Sequence, residues 1–106
     1  MKKEITPLEL KKRLDTGESL RIVDVRMPIE FVIGHIPGAV NMPLPKIVDQ
    51  IPGVNADETL IMVCKAGGRS GMACERVESH YPNLINLEGG TDAWIASGLK
   101  ISRGTK

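Results

Sequence analysis

The sequence predicts an α/β fold in which helices flank a central, mainly parallel β-sheet. Short apolar segments alternate along the 106 residues with segments of helical character, and this alternation is typical of parallel strands joined by helices. The clearest strand is "TLIMVC", residues 59–64, a short and almost wholly apolar run that indicates a buried strand. Since no repeat, linker or low-complexity tract interrupts the pattern, residues 1–106 are expected to form one domain.

The first helix is predicted from "ITPLELKKRLDTGE", residues 5–18. Thr6 suits the N-cap, Pro7 suits the first helical position, and Glu9 completes a capping box. Gly17 follows the last turn. The apolar stripe of this helix is expected to consist of Leu8, Leu10 and Leu14.

The segments between the first helix and the buried strand "TLIMVC" are short. "LRIVDV", residues 20–25, is rich in β-branched residues and predicts a strand. The prolines and glycines of residues 27–44 indicate mostly loop, with one helical turn at Ile29 to Ile33 and a short strand at Ala39 to Asn41. "PKIVDQIPG", residues 45–53, predicts a short helix that its closing Pro-Gly pair ends.

Two helices and one strand are predicted after the buried strand "TLIMVC". Ser70 to His80 is expected to be helical despite Gly71. Its inward-facing residues are expected to be Met72, Ala73 and Val77. "NLINL", residues 83–87, predicts the last strand, and "GGTDAWIASGL", residues 89–99, predicts a last helix that stops at Gly98.

Composition excludes several classes of function. The chain has 14 Lys and Arg against 13 Asp and Glu, and 3% aromatic residues, so it lacks the basic field and stacking residues of a nucleic-acid-binding protein. Two cysteines and two histidines form neither a disulfide framework nor a metal-ligand pattern. No apolar run approaches the length of a membrane span or a signal-peptide core. We expect no metal, cofactor, nucleic acid or membrane partner, and a cytoplasmic location.

The most informative segment is "LIMVCKAGGRSGMA", residues 60–73. It places Cys64 at the carboxyl end of the buried strand, where parallel α/β sheets bind ligands. The glycines that follow allow backbone N–H groups to converge on an anion at the start of a helix. Such N–H groups, with the cations Lys65 and Arg69, favour a thiolate. Cys64 is therefore a candidate nucleophile that needs no general base.

Packing is the alternative role for each cysteine, because cysteine is one of the most frequently buried residues. For Cys64, a packing role does not require the two cations and three glycines that accompany it within eight positions. For Cys74, on the inward side of the predicted helix, packing is the preferred interpretation, and a resolving thiol for Cys64 is the alternative.

Three ordered motifs resemble the rhodanese family of sulfurtransferases, specifically its small single-domain members. The family's active-site pattern, Cys-x-x-Gly-x-Arg followed by a hydroxyl residue, is similar to residues 64–70. Upstream, "DVR" (residues 24–26), "EF" (30–31) and "GHIPGAVN" (34–41) resemble its first signature, and "NLEGGTDAW" (86–94) resembles its closing segment. The resemblance spans about residues 6–98 and implies a rhodanese-like three-layer sandwich.

The resemblance implies a persulfide cycle on Cys64. The thiolate would take the outer sulfur of a small anionic donor such as thiosulfate and pass it to cyanide or a thiol, and a protein could serve as donor or acceptor. Substrate binding would involve the loop residues Lys65, Ala66, Gly67, Gly68, Arg69 and Ser70. Arg69 could instead be structural and paired with an acid such as Glu30. Asp24 and Arg26 would support the loop rather than react.

Several other interpretations of the loop are considered. Phosphatases and arsenate reductases of this fold place five residues between Cys and Arg, whereas here four intervene, so by analogy a phosphatase is the minority interpretation. A sulfur-relay or protein-binding module would use the same loop chemistry. A noncatalytic regulatory domain is disfavoured because Cys64 is present.

The remaining matched residues have structural roles by expectation. The His35 ring is expected to bond backbone in a turn, and Phe31 and Trp94 are expected in the core. Gly89 and Gly90 would make the tight turn into the last helix. Lys100 stands where many relatives continue with proline, which affects only the course of the C-terminal segment.

Overall fold

The computed structural model describes residues 3–105. It contains a five-stranded parallel sheet, four α-helices and one turn of 3-10 helix. In chain order the elements are β1 (Lys3–Ile5), α1 (Pro7–Asp15), β2 (Arg21–Asp24), α2 (Pro28–Ile33), β3 (Val40–Asn41), the 3-10 turn (Leu44–Lys46), β4 (Leu60–Val63), α3 (Gly68–Val77), β5 (Leu84–Leu87) and α4 (Gly90–Ala96). The predicted α/β sandwich on a parallel sheet is confirmed.

The strand order is β1-β5-β4-β2-β3, so β4 lies in the middle of the sheet. Its register with β2 pairs Val63 with Asp24, and its register with β5 pairs Met62 with Asn86. Strand β1 was not predicted from the sequence, because this edge strand has three residues and buries only Ile5. Such a short segment carries no measurable alternation, and its pairing with β5 is fixed by tertiary contact.

Helices pack on both faces of the sheet. Alternate residues of β4 face opposite sides, because successive side chains of a strand point in opposite directions. Ile61 and Val63 pack in one cluster with side chains of α1, α2 and α4. Leu60 and Met62 pack in a second cluster with α3 and the segment around the 3-10 turn. Both clusters are buried, so the central strand is apolar on both faces.

The α1 prediction is confirmed in detail at its amino end. Thr6 is the N-cap, its hydroxyl accepts from the Glu9 N–H, and the Glu9 carboxylate accepts from the Thr6 N–H at 2.9 Å. The predicted stripe is wrong at Leu8, which is 63% exposed, whereas Leu10 is fully buried. At a helix start only the side nearest the sheet is covered, and Leu8 lies off that side.

Two other helix predictions need correction. The short helix expected at residues 45–53 is only the 3-10 turn Leu44–Lys46, because the chain becomes extended at Ile47, which is buried in the second core cluster. The helix expected from Ser70 begins at Gly68 and ends at Val77, so half of the predicted loop is helical. Met72, predicted to face inward, is 48% exposed, whereas Ala73 and Val77 are buried as expected.

No helix within residues 3–105 is long and apolar enough to cross a membrane.

Candidate active site

Cys64 is the residue that follows β4, and the strand determines where its side chain points. It continues the alternation of Leu60 and Met62 and so faces the α3 layer, where it belongs to the second core cluster. Its exposed fraction is 1%. The predicted position of this cysteine, at the carboxyl end of a buried strand, is confirmed.

The thiol lies at the amino end of α3. Gly67 is the N-cap of this helix with φ of +103°, a left-handed conformation that favours glycine. This conformation turns the Gly67 N–H toward the sulfur, and the distance from N to Sγ is 2.9 Å. Gly68 and Gly71, which were expected to provide similar freedom, lie inside α3 and have no positive φ. One glycine therefore reverses the chain between the strand and the helix.

The Ser70 hydroxyl is a second donor to Cys64, with Oγ to Sγ at 3.3 Å, and it is fully buried. Its single proton can also go to the Gly67 carbonyl, which lies 3.2 Å from Oγ. That carbonyl accepts two further hydrogen bonds, from the Gly71 N–H at 3.0 Å and the Asn86 Nδ2 at 3.3 Å. The carbonyl thus stays satisfied when the hydroxyl proton is directed at the sulfur.

These donors determine the pKa of Cys64. Burial by itself raises the pKa of the thiol, because a thiolate is poorly stabilised away from water. Hydrogen bonds from the Ser70 hydroxyl and from the backbone N–H groups of Ser70, Gly67 and Ala66 act in the opposite direction and prevail. The net pKa of Cys64 is lowered from its ordinary value, as predicted from the sequence.

The opposite side of the loop is held by the amino end of α4. The Cys64 carbonyl accepts from the Thr91 N–H at 2.8 Å and from the Thr91 hydroxyl at 3.0 Å. The Lys65 carbonyl accepts from the Asp92 N–H at 2.9 Å. Thr91 is 2% exposed. This contact was not predicted, because the partners are 27 residues apart and only the Thr that follows the glycine pair could have suggested it.

Gly90 makes this approach of α4 to the loop sterically feasible. Its φ is +60°, and a Cβ at this position would lie 2.5 Å from the Cys64 carbonyl oxygen and 2.6 Å from the Lys65 carbonyl oxygen. Gly89, the N-cap of α4, also has a positive φ of +74°. The predicted tight turn at the glycine pair is confirmed. The turn brings the amino end of α4 into close contact with the cysteine loop.

Asn86 is a second site residue that was not predicted. It lies on β5 beside β4, is 3% exposed, and donates from Nδ2 to the Gly67 carbonyl. Its Oδ1 is buried without a hydrogen-bond partner among the described residues. The sequence held one signal of this role, which is the polar Asn86 within the apolar strand "NLINL". Asparagine is uncommon at a buried strand position unless its side chain forms hydrogen bonds.

Both predicted cations of the loop are paired with carboxylates. Lys65 Nζ lies 2.8 Å from Asp92 Oδ2. The Arg69 guanidinium binds Glu30 through two hydrogen bonds, of 2.7 and 2.8 Å. Arg69 thereby holds the pKa of Glu30 at about 2, well below its ordinary value. The pairing of Arg69 with Glu30, one of two roles considered for the arginine, is present.

Asp24 and Arg26 form a buried pair beside the loop. The Arg26 Nη2 lies 2.8 Å from Asp24 Oδ2, and the side chains of Arg26 and Asp24 are 7% and 0% exposed. Arg26 also donates to the Gly34 carbonyl at 2.7 Å, while Asn41 Nδ2 donates to the Asp24 and Arg26 carbonyls. Arg26 therefore joins the end of β2 to Gly34 at the carboxyl end of α2, and Asn41 joins it to β3. None of these hydrogen bonds reaches residues 64–70, so the support of the loop by this pair stays a prediction.

The other matched residues are placed as expected. His35 is buried, its Nδ1 lies 2.8 Å from the Phe31 carbonyl oxygen, and its ring stacks on Phe31 at 3.7 Å. Trp94 is 2% exposed, and its Nε1 donates to the Lys100 carbonyl at 2.7 Å. Cys74 is 1% exposed in the core cluster that also holds Cys64.

Comparison with known proteins agrees with this geometry. Residues 6–97 match the family described as the Rhodanese-like domain. The chain belongs to the rhodanese family. A sulfurtransferase of Allochromatium vinosum is 34% identical over 102 residues, which cover 95% of this chain and 95% of the relative. The chain is thus a rhodanese-like sulfurtransferase, a class that requires a sulfur donor and a sulfur acceptor.

Two solved structures are similar in fold to this chain. The crystal structure of SSP1007 from Staphylococcus saprophyticus is 39% identical, with a TM-score of 0.81 over 92% of this chain and 98% of that one. The crystal structure of a thiosulfate sulfurtransferase from Pseudomonas aeruginosa has a TM-score of 0.86 and 25% identity, and the match covers all of this chain and 20% of that protein.

Proposed function

We propose that this rhodanese carries sulfur as a persulfide on Cys64, taking it from thiosulfate or a similar donor and giving it to cyanide or a thiol. The observation that carries the proposal is the convergence of donors on Sγ. The Gly67 N–H lies 2.9 Å away and the Ser70 hydroxyl 3.3 Å away. Such a cradle stabilises negative charge on sulfur, which a packing cysteine does not need.

The same hydrogen-bond donors can stabilise both the thiolate and the persulfide of Cys64. In the first step the thiolate attacks the outer sulfur of thiosulfate, the S–S bond of the donor breaks, and sulfite leaves with the electron pair. The product is a persulfide whose terminal sulfur carries the negative charge. In the second step cyanide attacks that sulfur, and thiocyanate leaves as the Cys64 thiolate returns. No external oxidant or reductant is required.

The remaining loop residues have distinct proposed roles. The backbone N–H groups from Lys65 to Ser70 form the cradle for donor and persulfide. Asp24, Arg26 and Glu30 act through the loop as supporting residues, because Glu30 binds Arg69 and the other two brace the end of β2. A thiolate of this kind persists more readily in a reducing compartment such as the cytoplasm.

The experiment is the intact mass of the protein after incubation with thiosulfate and removal of small molecules. The wild type is expected to gain one sulfur atom and lose it to cyanide. Cys64→Ser is expected to gain none, whereas Cys74→Ala, the matched control, is expected to behave as the wild type. Sulfur bound equally by Cys64→Ser would show that another residue carries it, and no gain in any protein would exclude thiosulfate as donor.

A further inference from the structure

Strand β5 places a polar side chain, Asn86, in the layer between the sheet and α3. Asn86 is paired with Met62 of β4, and paired residues of neighbouring strands face the same side of a sheet. Leu84 lies on the same face of β5 and packs against the second core cluster, which contains Met62. Asn86 is therefore buried in an apolar layer, where an amide destabilises the fold unless it is hydrogen-bonded.

Only one end of this amide has hydrogen-bond partners. Nδ2 of Asn86 lies 3.3 Å from the Gly67 carbonyl oxygen and 3.5 Å from Oε2 of Glu4, whereas Oδ1 is buried without a partner within residues 3–105. Both neighbours of Nδ2 are acceptors, so exchanging the amide nitrogen and oxygen would place oxygen against oxygen. The side chain thus leaves one buried acceptor unpaired while Nδ2 donates to the Gly67 carbonyl.

Three donors approach the Gly67 carbonyl oxygen. They are the Gly71 N–H at 3.0 Å, Nδ2 of Asn86 at 3.3 Å and the Ser70 hydroxyl at 3.2 Å. A carbonyl oxygen has two lone pairs. The Gly71 N–H occupies one of them as a backbone hydrogen bond of α3, so Asn86 and Ser70 compete for the other.

The Ser70 hydroxyl has one proton and two acceptors within reach. These are the Gly67 carbonyl oxygen at 3.2 Å and Sγ of Cys64 at 3.3 Å. A helical serine commonly donates to the carbonyl three or four residues earlier, and here that carbonyl belongs to Gly67. When Asn86 occupies the second lone pair of this oxygen, the hydroxyl proton goes to the sulfur.

We propose that Asn86 is a positioning residue, which directs the Ser70 hydroxyl proton to the Cys64 sulfur by occupying the Gly67 carbonyl. Within residues 3–105 no hydrogen bond joins Asn86 to the sulfur, so its effect passes through Ser70. The proton remains on the hydroxyl and stabilises negative charge on Sγ. The inference rests on the proposed function, in which the thiolate and the persulfide are both anionic.

Two charged groups near these residues could act instead of the hydroxyl. Arg69 interacts with the charge of Cys64, but its guanidinium is bound to Glu30 and forms no hydrogen bond with Asn86 within residues 3–105. Glu4, the second acceptor of Nδ2, is exposed on β1. Glu4→Ala removes its charge and its acceptor while the Gly67 carbonyl stays occupied, and is expected to leave the ionisation of Cys64 unchanged.

The first measurement is the pH dependence of alkylation at Cys64, read by peptide mass spectrometry. Asn86→Val is expected to move the midpoint to higher pH. At a fixed pH below the midpoint the thiolate fraction should fall by roughly threefold or more, because a hydrogen bond to the charged sulfur is partly lost. The control is Asn83→Val, the same change at an exposed position. No shift in Asn86→Val, or an equal shift in Asn83→Val, would overturn the proposal.

A double-mutant cycle tests the route through Ser70. In Ser70→Ala the competing proton is absent, so adding Asn86→Val is expected to leave the alkylation midpoint where Ser70→Ala places it. An equal shift from Asn86→Val in both backgrounds would show that Asn86 acts on the sulfur by another route, and would overturn the proposal. Asn86→Ala, which removes the same donor without a branched side chain, repeats the cycle if valine does not pack.

Urea unfolding separates positioning from a structural role. Asn86→Val removes the unpaired Oδ1 and introduces a residue that favours strands, while the Gly67 carbonyl keeps its bond from Gly71. The urea midpoint is therefore expected to stay the same or rise as the alkylation midpoint shifts. A fall in the urea midpoint with an unchanged alkylation midpoint would assign a structural role to Asn86 and refute the proposal.

The alkylation assay uses no sulfur donor, so the two proposals can fail separately. Persulfide formed on Cys64 from thiosulfate, without coupling between Asn86 and Ser70, would refute the role of Asn86 and leave the proposed function intact. Coupling between these residues, without persulfide in the wild type, would contradict sulfur transfer from thiosulfate and support the role of Asn86.

Discussion

Replacing Gly90 with alanine tests the contact between α4 and the cysteine loop. The new Cβ would meet the Cys64 and Lys65 carbonyl oxygens at 2.5 and 2.6 Å. These atoms belong to the backbone and are already bonded to Thr91 and Asp92, so they cannot move aside without breaking those bonds. The left-handed φ of +60° adds a penalty for any residue with a Cβ.

The magnitude follows from these two contributions. The left-handed conformation costs about 1 to 2 kcal/mol for alanine, and forcing packed atoms apart costs about 1 to 3 kcal/mol. We therefore expect Gly90→Ala to lower the free energy of unfolding by about 2 to 5 kcal/mol, out of the roughly 5 to 15 kcal/mol typical of a domain. The displaced carbonyls should also raise the pKa of Cys64.

Two other glycines separate these contributions. Gly98 has φ of +77°, and a Cβ added to it would have no heavy atom within 4 Å, while Gly68 has open space and no positive φ. Gly98→Ala is expected to lower the free energy of unfolding by about 1 to 2 kcal/mol, which is the cost of the left-handed conformation alone. Gly68→Ala is expected to be neutral or to gain up to about 1 kcal/mol, because alanine is the better helix former.

The assays are urea unfolding and the pH dependence of alkylation at Cys64, read by peptide mass spectrometry so that Cys74 is followed separately. Only Gly90→Ala should shift the alkylation profile to higher pH. A loss of unfolding free energy no larger than that of Gly98→Ala, with an unchanged profile, would refute the argument that the close approach of α4 positions the loop.

Hydrogen bonds and ion pairs around the loop lead to three further predictions. Ser70→Ala removes a donor to the thiolate and is expected to raise the pKa of Cys64, seen as a shift of the alkylation profile to higher pH, while Ser70→Thr should restore it. Thr91→Val keeps the backbone N–H but removes the hydroxyl bond, so unfolding free energy should fall by about 1 kcal/mol, and an unchanged value would show that the hydroxyl contributes nothing. Because the pKa of Glu30 is lowered to about 2, its pairing with Arg69 stabilises the folded state above the ordinary pKa near 4.5 and this stabilisation is lost as pH falls toward 2. Wild type should therefore exceed Glu30→Gln in unfolding free energy by about 0.5 to 1 kcal/mol at about pH 6, and the difference should shrink as the pH falls below about 4.5.

Local signals in the sequence accounted for much of the fold and for the centre of the site. The capping box of Thr6 and Glu9 located the start of α1, and the apolar run of residues 59–64 located β4. The position of Cys64 followed from that strand. These features depend on residues close to each other in the chain, which is why they can be read without a structure.

Features that depend on distant contacts could not be read in the same way. The bonds from Thr91 and Asp92 to the loop join residues far apart in sequence, and the pairing of Lys65 with Asp92 is visible only once α4 is in place. The predicted burial of two apolar side chains was wrong for a related reason. Leu8 and Met72 have the apolar character of core residues, but only the position of the neighbouring layer determines which side of a short helix is covered.

The peptide group between Lys65 and Ala66 links α4 to the sulfur of Cys64. Its carbonyl accepts from the Asp92 N–H of α4, and its N–H, on the opposite side of a trans peptide, stabilises the Cys64 thiolate. The dipoles that face the sulfur are therefore preorganised by α4 as well as by α3. The same dipoles are in place for each charge state of the sulfur, so they need little reorganisation during the reaction. The free-energy cost of orienting them is met when the chain folds.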